Sequence, residues 1–227
     1  MKLYIGNKNY SSWSMRPWVL MREKGIAFDE VMLRFDSFSA DSRFKKAITA
    51  VSPAGRVPAL VDDDGLLVWD TLAIAEYLAE RCADKALWPA ERSARARARS
   101  LCAEMHSGFA ALRGAFPMNI EAHLPEVGAQ QLADKPAAAA DLARIVTLWT
   151  EALAASGGPF LFGGYSVADA YFAPVVSRMR TYALPLPPVV AGYADRLWAT
   201  AGVQAWVAEA LLEADFVPED EPYRTQR

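Results

Sequence analysis

Hydroxyl side chains cluster near the start of the chain, in the run Ser11, Ser12, Trp13 and Ser14. A predicted helix follows this run, with Pro17 in its first turn. Serine hydroxyls and free backbone N–H groups at a helix N-terminus can together stabilise an anion. An ordinary helix cap with spare serines would use the same residues, so the run by itself leaves both interpretations open.

Two further dipeptides could contact a ligand through backbone and side-chain groups. Val57 and Pro58 precede a predicted strand, and a cis bond between them would expose the Val57 N–H and C=O. Only about 5% of such bonds are cis in folded proteins. Asp70 and Thr71 begin another predicted helix, where a carboxylate, a hydroxyl and backbone amides come together. This set suits a ligand that carries both an ammonium and a carboxylate group.

Most other kinds of catalytic site lack their signature residues. The chain has no phosphate-binding loop, no GxGxxG, no GxSxG and no HExxH. His106 and His123 are the only histidines, and we predict structural or surface roles for both. Cys82 and Cys102 form no CxxC pattern, so we expect neither a disulfide nor a metal site.

The charge balance of the chain argues against nucleic acid and anionic membranes as partners. The net charge is −3, which provides no basic field for nucleic acid or for an anionic membrane surface. The first residues contain no signal-peptide core, and no apolar run is long enough to span a bilayer. We therefore expect a cytoplasmic protein that binds neither nucleic acid nor membranes.

The first part of the chain alternates short strand-like and helix-like runs. We predict helices after Pro17, over 39–50 and after Asp70, and the strands are expected over residues 2–5, 28–33, 59–61 and 66–69. Asp64 and Gly65 form a hairpin turn signal between the last two strands. The pattern predicts an α/β domain over residues 1–81.

Long alanine-rich helical patterns replace the strands after a predicted linker over residues 82–89. We predict an all-α domain over residues 90–227 that ends in an irregular, charged tail from Glu213. One predicted helix carries apolar residues from Leu101 to Phe116 on one face, and another begins near Pro136. Ser166 and Asp169 have the spacing of a helix capping box.

These motifs resemble, in order and spacing, those of the glutathione transferase superfamily, and the likeness covers nearly the whole chain. The run SSWSxRPW resembles the SSxSxR signature of serine-type, zeta-like members, and residues 52–60 resemble the stretch around the family's cis-proline. Asp70 and Thr71 match the family's acidic-plus-hydroxyl pair. The resemblance implies a thioredoxin-like domain with a mixed four-stranded sheet, followed by an all-helical domain.

The resemblance also implies a glutathione-binding site and a role for each motif. Ser11 would donate a hydrogen bond to the thiolate of reduced glutathione, with Ser12 and Ser14 as alternatives. The residues implied to hold the rest of the tripeptide are Val57 and Pro58 for the cysteinyl part, Asp70 and Thr71 for the γ-glutamyl part, and Lys45 and Arg56 for the glycyl carboxylate. Glutathione would be a cosubstrate, and no metal is expected.

The implied activity is transfer of the glutathione sulfur to a small, apolar electrophile, as in detoxification, by a cytoplasmic homodimer. The residues that we predict to line the electrophile pocket are Trp13, Met15, Met105, Phe109 and Leu112. The last three are equally compatible with interdomain core.

Besides glutathione-dependent dehalogenation or peroxide reduction, which would use the same thiolate, two alternatives to transferase activity stay open. One is a glutathione-dependent isomerase of the maleylacetoacetate type. In such isomerases a cysteine follows the paired serines where this chain has Trp13, and their carboxylate-binding arginine aligns with Thr181, although Arg178 and Arg180 lie close by. The other alternative is a noncatalytic interaction protein on the same scaffold.

Overall fold

The computed structural model describes residues 1–227, and its N-terminal half is built on a mixed sheet of four short strands. The strands are β1 (Lys2–Ile5), β2 (Asp29–Met32), β3 (Ala59–Val61) and β4 (Leu67–Trp69). Their spatial order is β2-β1-β3-β4, with β2 parallel to β1 and the other neighbouring pairs antiparallel. The predicted mixed four-stranded sheet is confirmed.

Three helices accompany this sheet, namely α1 (Ser12–Glu23), α2 (Arg43–Val51) and α3 (Thr71–Arg81). Asp70 caps α3, because its carboxylate accepts from the N–H of Leu72 at 2.8 Å. Ser42 caps α2 through the N–H of Lys45, so α2 begins four residues later than the predicted start at residue 39.

The start of α1 corrects the sequence prediction. The helix begins at Ser12, and Pro17 lies inside it instead of in its first turn. The carbonyl of Ser11 already accepts from the N–H of Met15 at 3.1 Å, so the first turn is closed before the proline is reached. The serine run is therefore the N-terminus of the helix itself.

Seven helices make up the C-terminal half. They are α4 (Arg92–Ser107), α5 (Ala110–Ala115), α6 (Pro125–Asp134), α7 (Pro136–Ser156), α8 (Val167–Thr181), α9 (Pro188–Trp198) and α10 (Ala201–Glu213). The predicted helical character of this half is confirmed, as is the start of a helix at Pro136.

The long helix predicted through Leu101 and Phe116 is interrupted. It breaks at Gly108 and Phe109 into α4 and α5. Phe109 has a positive φ of 54°, and a Cβ at Gly108 would lie 2.7 Å from the carbonyl oxygen of Glu104. The apolar spacing continues across the break, so periodicity alone could not reveal it.

One hydrophobic core of 48 buried residues joins the two halves. Helix α1 packs against α8 and α10, and the rings of Trp18 and Trp206 meet at 5.3 Å. The N-terminus of α1 is thus held by both halves of the molecule. None of the helices is long and apolar enough to cross a membrane.

Candidate functional site

A cleft between the two halves brings most of the candidate residues together. It consists of two adjoining cavities of about 520 and 480 Å³ that share four lining residues, Trp13, Arg56, Val57 and Arg113. Ser11, Ser12 and Lys45 line the first cavity, and Asp70 and Thr71 line the second.

Ser11 carries a hydroxyl on the cleft wall that can stabilise an anion. It stands at the N-cap of α1 and makes no side-chain cap bond, so its hydroxyl is not used to begin the helix. Its Oγ lies 2.7 Å from the Oγ of Ser14, which also accepts from the N–H of Gly6 at 3.2 Å. Ser14 is completely buried and does not line the cleft. It therefore lies behind Ser11 and orients the Ser11 hydroxyl.

The backbone of Val57 faces the cleft. The bond between Val57 and Pro58 is cis, and no hydrogen bond within the protein involves the Val57 N–H or C=O. Nearby, the Lys45 ammonium donates to the carbonyl of Gly55 at 2.7 Å, which holds α2 against this loop. A peptide-like ligand could pair with the Val57 backbone here.

Asp70 and Thr71 belong to a hydrogen-bond network that crosses between the two halves. The Asp70 carboxylate lies 3.2 Å from Nε2 of His106 on α4. The Thr71 hydroxyl lies 2.7 Å from the Tyr171 hydroxyl, which is 3.0 Å from Nδ1 of His106. Asp70 also has a positive φ of 74°, a conformation that costs free energy and is often found at ligand sites.

Two arginines lie against the Trp13 ring and a third, Arg178, lines the same cavity, and none of the three forms an ion pair. Arg16 stacks on the Trp13 ring at 4.1 Å and Arg113 lies 5.5 Å from it, while Arg178 bonds to the Phe116 carbonyl at 2.7 Å. One buried nitrogen each of Arg16 and Arg113 has no hydrogen-bond partner. Arg113 and Arg178 line the cleft, so this wall is positively charged.

Burial lowers the pKa of two of these arginines. It lowers the pKa of Arg16 to about 10 and the pKa of Arg178 to about 9, and the proximity of Arg16 and Arg113 lowers the latter further. A negatively charged ligand in the cleft would offset this effect at Arg178, which lines the cavity.

An aromatic wall borders the same cavity on the side of the sheet. The rings of Phe35 and Phe44 meet at 4.7 Å, and those of Phe35 and Phe38 at 5.1 Å. All three line the cleft beside Lys45. The cavity therefore combines apolar surface with a cationic wall.

Comparison with known proteins decides the family. The model of the glutathione S-transferase N-terminal domain matches residues 10–81, and that of the glutathione S-transferase C-terminal domain matches residues 117–209. The chain belongs to the glutathione S-transferase superfamily.

Solved glutathione transferases share the fold over nearly the whole chain. A homologue from Burkholderia with bound glutathione is 27% identical, with a TM-score of 0.67 over 92% of this chain and 97% of the other. A sphingomonad glutathione S-transferase complexed with glutathione is 26% identical, with a TM-score of 0.65 over 93% and 100% of the two chains. A zeta-class maleyl pyruvate isomerase shares the fold at 22% identity, with a TM-score of 0.68 and coverage of 92% and 98%.

The curated relative is an isomerase and matches only in part. Maleylacetoacetate isomerase of Pseudomonas aeruginosa is 32% identical over 120 residues. The alignment covers 53% of this chain, and the chain spans about half the length of that relative, 55%.

Part of the predicted electrophile pocket of this superfamily member has to be corrected. Met15, Met105 and Leu112 are completely buried in the core, and Phe109 is 7% exposed. None of the four lines the cleft, because all four pack into the hydrophobic core. Trp13 is the one member of that set on the cleft wall.

The arginines predicted to compensate for Thr181 differ in their placement. Arg178 lines the cleft, whereas Arg180 lies on the surface and pairs with Asp195 at 2.9 Å. Thr181 is buried and donates to the carbonyl of Asn119. Alternate residues of one helix face different directions, which explains why only one of the two arginines reaches the cleft.

Sequence reasoning missed several residues of this cleft, among them His106, Arg113 and Asp220. His106 was expected to be structural, and no local pattern marked Arg113 or Asp220. Each reaches the cleft only through the packing of the helical half on the sheet.

Proposed function

We propose that this protein binds reduced glutathione in the cleft and activates its thiol for attack on a small electrophile. The proposal rests on one observation, which is that Ser11, Val57 and Asp70 line the same cleft. The N–H and C=O of Val57 make no hydrogen bond within the protein and are free to pair with a ligand. In the proposed complex, the Ser11 hydroxyl donates to the thiolate and the Val57 backbone pairs with the cysteinyl unit. The homodimer and the cytoplasmic location that the resemblance implies stay predictions.

The two ends of the tripeptide would be held by charge. Asp70 would accept from the γ-glutamyl ammonium and Thr71 would donate to its carboxylate. Lys45 lines the other cavity and Arg56 lines both, and there they could meet the glycyl carboxylate. Glutathione has charges of both signs at its γ-glutamyl end, which suits a carboxylate beside a hydroxyl and a helix N-terminus.

Replacing Asp70 tests glutathione binding directly. We expect Asp70→Asn to weaken glutathione binding about tenfold, because a charge-assisted hydrogen bond becomes a neutral one. Asparagine still caps a helix and tolerates a positive φ, so α3 should remain intact. Titration calorimetry measures the dissociation constant, and the fluorescence of Trp13 provides a second signal.

The outcome separates an enzyme from a noncatalytic protein of the same fold. Saturable binding that weakens in Asp70→Asn supports the proposal. An unchanged dissociation constant in the variant would remove Asp70 from the site. If the unmodified protein gave no heat and no fluorescence change, the glutathione-dependent activity would be rejected and a protein partner sought.

A second candidate function is the isomerase, and the unpaired arginines favour it. Arg113 and Arg178 face the cleft without an acidic partner, which suits an electrophile that carries a carboxylate. In such an isomerisation the thiolate adds to a conjugated double bond, the new single bond rotates, and the thiolate leaves again. Glutathione is then regenerated instead of consumed.

Arg113 allows this substrate class to be tested. We expect Arg113→Met to lower kcat/KM about tenfold for an α,β-unsaturated carboxylic acid and to change it little for the methyl ester. Arg180→Met is the matched control, because it removes the same charge from the protein surface. Equal losses for acid and ester would show that Arg113 does not recognise the carboxylate.

A further inference from the structure

The last residues of the chain are bonded to the loop that carries the candidate serine. We call residues 6–11 the serine loop and residues 213–224 the C-terminal segment. The N–H of Lys8 donates to Glu213 at 2.7 Å, and the side-chain amide of Asn7 donates to Asp215 at 2.6 Å. These contacts join residues more than 200 positions apart, so the serine loop depends on the C-terminal segment for its hydrogen bonds.

The contact nearest to Ser11 is made by its neighbour Tyr10. The Tyr10 hydroxyl donates to the Glu221 carboxylate at 2.7 Å. Both residues are buried, with 6% and 5% of their surface exposed. Burial and the bond to Glu221 raise the pKa of Tyr10, so the hydroxyl stays protonated and donates over the whole working pH range.

Glu221 is itself fixed from other directions. Its carboxylate accepts from the Asn119 side chain at 2.9 Å and from Nε of Arg224 at 2.8 Å. Arg224 also bonds to Glu121 at 2.7 Å, and the N–H of Glu121 donates to the side chain of Asn9 in the serine loop. The network therefore contacts the serine loop at two residues, Tyr10 and Asn9.

Any movement of Tyr10 is passed on to Ser11 through the backbone. The N–H groups of Tyr10 and Ser11 both donate to the carbonyl of Asn7, at 3.1 and 2.8 Å, and that of Ser12 donates to the carbonyl of Tyr10 at 2.8 Å. These bonds form the tight turn that ends at Ser11. These bonds and the clamp on the Tyr10 side chain thus fix the backbone position of Ser11 at the cleft wall.

We propose that Tyr10 and Glu221 are positioning residues, through which the C-terminal segment sets the orientation of Ser11 and so the acidity of bound glutathione. The inference rests on the proposed function, because it assigns a cause to the activation of that thiol. The same segment also contributes Asp220 to the cleft wall, so it is continuous with the site. Small errors in the position of a catalytic group reduce rates strongly, which gives this clamp a measurable effect.

Two variants and one matched control test the proposal. Tyr10→Phe removes one oxygen atom, and Glu221→Gln removes the charge but keeps the shape. Glu219→Gln is the control, because Glu219 lies in the same segment but is exposed and makes no hydrogen bond. The measurements are kcat and KM with chlorodinitrobenzene as electrophile, and the pKa of bound glutathione from the ultraviolet absorbance of its thiolate.

We expect Tyr10→Phe to lower kcat about fivefold to tenfold, to raise the pKa of the bound thiol by about 0.5 to 1, and to change the KM for glutathione less than about twofold. Glu221→Gln should act in the same direction, and Glu219→Gln should match the unmodified protein. A purely structural clamp would lower thermal stability without moving the thiol pKa.

The inference is overturned if folded Tyr10→Phe and Glu221→Gln both keep the thiol pKa and kcat of the unmodified protein, or if only KM changes. If one of the two does not fold, the other decides in the same way. Absence of a thiolate signal or of glutathione binding in the unmodified protein contradicts the proposed function instead, so the two failures are distinguishable.

Discussion

Ser11→Ala should lower kcat about 10- to 100-fold while the affinity for glutathione changes little. A free thiol with a pKa near 8.5 is only about 3% ionised at pH 7, so an enzyme gains rate by favouring the thiolate. One hydrogen bond to a charged group contributes about 1.5 to 3 kcal/mol, which corresponds to this range of rates. The Ser11 hydroxyl contacts only the sulfur, whereas the proposed binding groups hold the two ends of the tripeptide. The affinity for glutathione should therefore change little.

The surroundings of Ser11 explain why we expect this serine to contribute more to activation of the thiol than Ser12 or Ser14. Ser14 accepts from the N–H of Gly6 and lies against the Oγ of Ser11, so it can donate its own proton to Ser11 when Ser11 donates to a ligand. Ser14→Ala should therefore have a smaller effect of the same kind. Ser12 lines the cleft as well and is the alternative donor.

Steady-state kinetics with varied glutathione separate these possibilities. Ser100→Ala is a suitable control, because its exposed hydroxyl bonds only to the carbonyl of Ala96 on α4. An unchanged kcat in Ser11→Ala would move the role to Ser12 or Ser14. A large rise in KM with an unchanged kcat would mean that Ser11 binds glutathione without activating it.

Asp169→Ala should reduce the free energy of unfolding by about 3 to 5 kcal/mol. The buried carboxylate accepts from the N–H and hydroxyl of Ser166, at 2.9 and 3.1 Å, from the N–H of Leu161 at 3.2 Å and from the hydroxyl of Tyr193 at 3.1 Å. Its removal leaves several buried donors without a partner, and each costs about 1 to 3 kcal/mol.

Urea unfolding, with tryptophan fluorescence as the signal, measures this loss as a lower urea concentration at the midpoint of unfolding. Glu91→Ala provides the comparison, because Glu91 also caps a helix, α4, but does so in solvent. Its loss should be much smaller, since water replaces the missing acceptor. Equal losses in the two variants would show that burial does not determine the contribution of Asp169.

Short-range signals in the sequence predicted several parts of the structure correctly. Asp70 caps α3, Ser166 and Asp169 form the capping box of α8, and the strands on either side of Asp64 and Gly65 pair as a hairpin. These features depend on hydrogen bonds among residues a few positions apart. Their chemistry is therefore contained in the local sequence.

Other features could not be predicted because the deciding contact is distant or the pattern is ambiguous. The sequence analysis predicts no helix where α6 lies, and the break at Phe109 preserves the apolar spacing of a continuous helix. Pro17 suggested a helix start, but the carbonyl of Ser11 had already closed the first turn. In each case the local residue preference is too weak to decide where a helix begins or ends.

The sequence by itself determined the family, the fold class and the motifs that are proposed to bind glutathione, because these lie in short runs whose residue types and spacing are specific. The tertiary structure alone decided which side chains share the cleft. His106 and Arg113 meet Trp13, and Arg178 joins the same cavity, only when the helical half packs on the sheet. Glu221 reaches Tyr10 only when the chain end folds back across the serine loop. Contacts between residues far apart in sequence depend on the burial of the whole core, which no local pattern records.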